Sequence, residues 1–143
     1  MPIRLKYKTI RRPDGTLCYG PWIPVIVRGH EETVELIFLL DSGADYSVLP
    51  IEVAEILGLD LSNPAEQSSG VGGSVNTIKS NAKIIIKNAH ETYNFRIPIH
   101  ILMNRNSKIP PLLGRVDFFD QFEIIIKQKI GKVILKKEHE RSY

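Results

Sequence analysis

A mostly-β barrel or sandwich carrying one or two short helices is the architecture this sequence predicts, and three observations carry the prediction. Twenty of the 143 residues are isoleucine, many of them in short runs, and β-branched side chains suit the pleated, half-buried surface of a strand. Apolar segments of strand length recur at close spacing between turn-forming residues. Helical periodicity is confined to two brief stretches, which argues against a helical layer.

The elements follow in chain order. Residues 3–10 alternate apolar and charged, and Arg12-Pro13-Asp14-Gly15 then supplies a turn. Residues 22–28 and 32–40 read as two strands joined in a hairpin around Arg28-Gly29-His30. Pro50 stands where a first helical turn begins, and Val53, Ile56 and Leu57 give a short apolar stripe ending near Gly58. The small, glycine-rich run from Ser68 to Ser74 lies between strand-like segments and predicts a hairpin tip. Further strands are expected at 83–87, 93–102, 123–128 and 132–136, the last two forming a hairpin around Gly131, with a two-turn helix over 115–122 before them. No internal repeat or low-complexity linker interrupts the chain.

Length and charge narrow the class. A chain of this size fits one domain with a buried core. Nineteen Lys and Arg against sixteen Asp and Glu leave a net charge of +3, too thin an excess for a dedicated nucleic-acid binder. One cysteine, Cys18, forbids an intrachain disulfide and fits a reducing compartment. The run Leu36-Ile37-Phe38-Leu39-Leu40 is far shorter than the roughly 20 residues of a membrane helix. The start, Met1 to Lys8, has no apolar signal core. The expectation is a soluble, cytoplasmic protein without nucleic-acid or membrane partners.

The segment Leu39-Leu40-Asp41-Ser42-Gly43-Ala44-Asp45-Tyr46-Ser47-Val48-Leu49 carries the chemistry. A continuous apolar strand runs into an acid, a hydroxyl and a glycine, then returns to apolar residues. Asp-Ser-Gly by itself reads equally as a surface turn. A turn braced on both sides by core-like segments is less ordinary, because a carboxylate there is costly unless it is hydrogen-bonded or shares a proton. The segment resembles the active-site loop of retroviral-type, retropepsin-like single-lobe aspartic proteases, in a cellular form of bacterial or archaeal kind. Pro111-Leu112-Leu113-Gly114-Arg115 resembles that family's apolar-apolar-Gly element before its C-terminal helix, and Gly70-Val71-Gly72-Gly73-Ser74 falls where the family carries its flap.

The resemblance implies one closed or semi-open β-barrel-like lobe per chain. It assigns residues 22–128 to the protease domain, 1–21 to an N-terminal extension forming an extra strand or hairpin, and 129–143 to a C-terminal strand and basic tail. Asp41 would be the catalytic carboxylate. Peptide hydrolysis by this class needs two carboxylates flanking one water, and like charges about 3 Å apart cannot both ionise. The sequence holds a single Asp-Ser/Thr-Gly, so the second carboxylate would come from another copy, in a twofold homodimer. Ser42 would brace the partner's loop across the axis, Gly43 would bring a backbone N–H to the carboxylate, and Ala44 would keep the cleft floor small. Asp45 would pair with Arg115, a pair that in the family also binds substrate backbone and that reads here as chiefly structural or as substrate-binding. The family's cross-dimer arginine has no counterpart, since Trp22 and Ile23 stand where it would align.

Other constellations are weaker. His30, His90, His100 and His139 lack metal-ligand spacing, so neither metal nor other cofactor is expected. The lysines from Lys127 onward read as edge-strand protection, or as part of a dimer interface. The leading function is an aspartic endopeptidase acting on peptides or proteins as a homodimer. A catalytically silent relative, binding peptides or scaffolding, is the alternative; a lysine-rich β-barrel for RNA has little support.

Overall fold

The computed structural model describes residues 2–70 and 73–138. Val71 and Gly72, at the expected hairpin tip, and residues 139–143 lie outside them. In chain order the strands are β1 (Ile3–Lys6), β2 (Lys8–Arg11), β3 (Leu17–Gly20), β4 (Trp22–Arg28), β5 (Thr33–Leu40), β6 (Ser47–Pro50), β7 (Ala65–Gly70), β8 (Gly73–Lys87), β9 (Thr92–Leu102), β10 (Leu112–Leu113), β11 (Phe122–Lys127) and β12 (Lys132–Lys137), with helix α1 (Ile51–Leu57) after β6.

Seven strands form one sheet in the order β4-β5-β10-β6-β9-β8-β7, and a further pairing of β4 with β8 closes most of it into a ring. Ile26, Val27 and Arg28 make that closure against Ile85, Ile84 and Lys83. Closure pairs the β4 edge that would otherwise stand open, leaving β7 as the outer strand. Ile23, Val25, Val27, Phe38, Leu49, Ile84, Ile97, Ile99, Ile101 and Leu113 are fully buried inside it. The mostly-β, barrel-like architecture expected from the isoleucine pattern is the observed one. A three-stranded sheet, β1-β12-β11, and the β2–β3 hairpin flank the ring. Phe118, fully buried, joins the first of these to the ring through ring contacts with Phe95 and Phe122.

Helix α1 begins at Pro50, whose backbone is extended, and ends at Gly58 in the left-handed conformation at φ 70°, a position a glycine takes without a steric cost. Its buried side chains are Ile51, Ala54 and Leu57, spaced three apart on one face. The expected stripe is corrected at one position: Ile56 is 59 % exposed, because it projects away from the Leu57 face.

Two other expectations are corrected. Residues 115–122 do not form an α-helix: turns run to a short 3-10 helix over Phe119–Gln121, and Phe122 already opens β11. Asp117 adopts a positive φ of 63°, which ends any helical run, and burying both Phe118 and Phe122 fixes the path. Strand β12 is not an edge, since β1 and β11 pair with it on either side. Lys137 at its end lies over the rings of Phe95 and Phe122, at 5.0 and 5.5 Å, a cation–π contact rather than edge protection. Among the described residues no helix is long and apolar enough to cross a membrane.

Candidate active site

The two segments singled out in the sequence meet at the mouth of the ring. Strand β10 threads between β5 and β6, parallel to the first and antiparallel to the second. The ladder runs past the end of β5: the Leu39 N–H donates to Pro111 O at 2.9 Å and the Asp41 N–H to Leu113 O at 3.0 Å. Asp41 is therefore held by backbone bonds where the strand stops. Its carboxylate Oδ1 accepts the Gly43 N–H at 2.9 Å, and its carbonyl accepts the Ala44 N–H at 3.1 Å. A Cβ at position 43 would stand 3.2 Å from that same Oδ1, so the glycine keeps the loop tight around the acid. Asp41 and Ala44 are half-buried, while Ser42 and Gly43 are exposed.

Behind the loop lies a residue that sequence reasoning missed. Ser47 is fully buried, and its Oγ accepts the Gly114 N–H at 3.0 Å. A Cβ on Gly114 would fall 2.5 Å from the backbone of Tyr46, so only glycine lets the two segments approach. The signal was a hydroxyl in a run of apolar neighbours, a placement that calls for a partner. Arg115 completes the clamp. Its N–H donates to Ala44 O at 3.0 Å, one arm of its guanidinium donates to Ser42 O at 3.0 Å, and the other forms an ion pair with the Asp45 carboxylate. Both ends of that pair are more than half exposed, which keeps its direct worth small; the geometry fixes the loop from two directions.

Register defines an open face beside Asp41. Trp22, Leu39, Leu112, Val48, His100 and Lys79 are successive cross-strand partners, and directly opposed residues share a face. Leu39, Leu112, Val48 and His100 on this face are only half-buried, whereas Phe38, Leu113, Leu49 and Ile101, one residue along, are sealed in the core. Asp41 follows Leu39 by two residues and continues the ladder, so it borders the open face. At the far side Tyr46 stacks on His100 with ring centroids 4.2 Å apart. Partial burial lowers the His100 pKa, and Lys79 lowers it further, against a weaker opposing pull from Glu66. Lys79 itself pairs with Glu66 at 3.4 Å.

Past the end of β9, which pairs with β8 from Thr77↔Leu102, the hairpin of β7 and β8 runs on, paired from Ala65↔Ile78 to Gly70↔Gly73. Gly73 has φ 112°, open to glycine and strained for other residues. The exposed Ser74 lies opposite Ser69. Lower down, the Ser68 and Thr77 hydroxyls meet at 2.8 Å. No three His, Cys, Asp or Glu side chains among the described residues come together as metal ligands.

A family model described as Aspartyl protease matches residues 23–115, a span that contains the Asp41 loop, the hairpin and the Leu112-Leu113-Gly114-Arg115 block. No curated protein matches the chain. Among solved structures, a retropepsin-like aspartic protease from Rickettsia conorii superimposes with a TM-score of 0.59 at 20 % identity, covering 94 % of this chain and 90 % of that one. The EIAV protease complexed with the inhibitor HBY-793 is 29 % identical over 67 % of this chain and 82 % of its own, with a TM-score of 0.42. The retroviral protease-like domain of Ddi1 from Leishmania major gives 15 % identity over 87 % and 98 %, with a TM-score of 0.49.

Proposed function

The chain belongs to the aspartyl protease family, and from that premise we propose that two copies of it assemble as an endopeptidase whose active site is shared across a twofold axis. The observation that carries this reading is the Asp41 loop: a half-buried carboxylate held by Gly43, braced from behind by Leu113, and clamped by Arg115, present once in these 143 residues. One such carboxylate cannot serve as both base and acid at the same moment. With a second Asp41 facing it across the axis, the ionised member takes a proton from a water held between them. The water oxygen attacks the scissile carbonyl, and the protonated member donates to the carbonyl oxygen. Collapse of that tetrahedral intermediate expels the amine, which takes up a proton as it leaves.

The remaining residues take roles consistent with their positions. Ser42, exposed beside Asp41, links the two loops across the axis, and Ala44 leaves the floor of the cleft shallow. Asp45, oriented by Arg115, offers a carboxylate to substrate N–H groups. The β7–β8 hairpin takes the part of a flap, with Gly70, Gly73 and Ser74 toward its end, closing over a bound peptide and excluding water. Val71 and Gly72, also assigned to the flap from the sequence, lie outside the described residues. No cofactor takes part. The lone cysteine and the thin charge excess of +3 suit a cytoplasmic enzyme acting on proteins or peptides.

Asp41→Asn tests the chemistry. The side chain keeps its size and still accepts the Gly43 N–H, so the fold is expected to survive while hydrolysis of a mixed peptide library falls to background. Cleavage by the variant at the wild-type rate would place the chemistry elsewhere.

A further inference from the structure

The β2–β3 hairpin creates a pocket that the cleft alone does not have. A cavity of about 290 Å³ lies between the turn of this hairpin and the segment 107–111. Its body is apolar: Ile10 comes from the hairpin, Trp22 and Ile37 from the open sheet face, and Ile109, Pro110 and Pro111 from the opposite wall. Around these stand Arg11, Arg12 and Lys108, with Asp14 as the one carboxylate. Asp14 is already engaged, because its Oδ1 accepts both the N–H and the hydroxyl of Thr16, at 2.9 and 2.6 Å. The arginines are only partly engaged: Arg11 donates one bond to Gly15 O and Arg12 one to Cys18 Sγ. All three cations are exposed, so the lining presents surplus donors and positive charge around an apolar interior.

Its position ties the cavity to the site. Trp22 is the cross-strand partner of Leu39, Pro111 O holds the Leu39 N–H, and Asp41 follows two residues later. The pocket therefore opens at the end of the open face opposite Tyr46 and His100. A peptide laid across Asp41 reaches it within a few residues, at about 3.3–3.6 Å of extended chain per residue.

We propose that this pocket is a substrate subsite built by the N-terminal hairpin, which takes one large apolar side chain of the peptide while Arg11, Arg12 and Lys108 select an aspartate or glutamate beside it. The inference rests on the peptidase reading for its occupant. Charge complementarity decides the class: a carboxylate gains charge-assisted bonds from free guanidinium N–H groups, while a lysine there meets three like charges against the single Asp14 carboxylate, a net repulsion.

Trp22 is the only tryptophan in the sequence and lines the pocket, so its emission reads occupancy without turnover. Two peptides are compared, identical except for Glu or Lys beside a central leucine. Titrated into the Asp41→Asn protein, the Glu peptide is expected to shift Trp22 emission saturably and to bind about tenfold more tightly. The wild type is expected to cleave it with a kcat/KM higher by a similar factor. Reversing two charges together, Arg12→Glu with Lys108→Glu, inverts the order of the peptides in both readouts. Equal affinities, or Trp22 emission unmoved at saturation, would overturn the subsite. Selective binding without wild-type cleavage would sustain the pocket and sink the peptidase reading; cleavage blind to the flanking charge would do the reverse.

Discussion

Ser47 is the side chain on which the junction of the two site segments depends. Its Oγ is the acceptor for the buried Gly114 N–H, and Gly114 has no room for a side chain through which the loops could adjust. Ser47→Ala removes the acceptor and leaves the N–H in a water-free position, a loss of about 1–3 kcal/mol. Urea denaturation monitored by far-UV circular dichroism is expected to show the lowered midpoint with an unchanged slope. If the midpoint does not move, the hydroxyl is not what holds the two segments together. Asp41, Ser42, Gly43 and Arg115 were legible as candidates because their two short segments resemble a known family's motifs, and each motif is local in the sequence. Ser47 was not, because its partner lies 67 residues away and only the threading of β10 brings them together.

At the scale of elements, period-two patterning located the strands well where one face is buried and the other open. The hairpin of β4 and β5, whose register runs from Trp22↔Leu39 to Arg28↔Thr33, is such a case. The same logic failed over 115–122, where Phe118, Phe119 and Phe122 imitate a helical stripe. The aromatic spacing there serves a junction between sheets instead. Phe118 meets Phe95, Phe119 and Phe122 at centroid distances of 6.1, 6.0 and 5.2 Å, with no polar atom to satisfy. Phe118→Ala is expected to cost about 3–5 kcal/mol through the cavity it leaves, read as a fall in the urea midpoint. The strand pair β8–β9 makes a different prediction, through His100. Its pKa in the fold is lowered from 6.5, by partial burial first and by Lys79 second. As pH falls below 6.5 the unfolded chain binds the proton first, so this contribution to stability is complete above that pH and declines beneath it. Wild type is expected to lose midpoint between pH 7.5 and pH 5.5, and His100→Gln to lose less. Equal losses would mean that His100 does not set the slope in this window.

At the scale of the whole molecule, the ring of strands presents its Asp41 loop at one open mouth, with the Ser42 hydroxyl exposed beside it and one carboxylate where the reaction needs two. The proposed answer is a second copy, and it has a consequence that no single-chain site shares. If each active site takes one Asp41 from each of two copies, an Asp41→Asn chain that still associates will poison every wild-type chain it meets. Mixed at equal amounts and allowed to exchange, random pairing leaves about half of the wild-type activity, because a closed twofold interface treats both chains alike. A larger excess of the variant drives activity toward zero, and specific activity also falls on dilution as dimers separate. The measurement is an activity titration of wild-type protein with the Asp41→Asn chain, beside light scattering to follow the mass. Activity that stays constant as the variant is added, in protein shown to exchange subunits, would mean that each chain works alone. The shared carboxylate pair would then have to be abandoned, whatever the resemblance of the lobe.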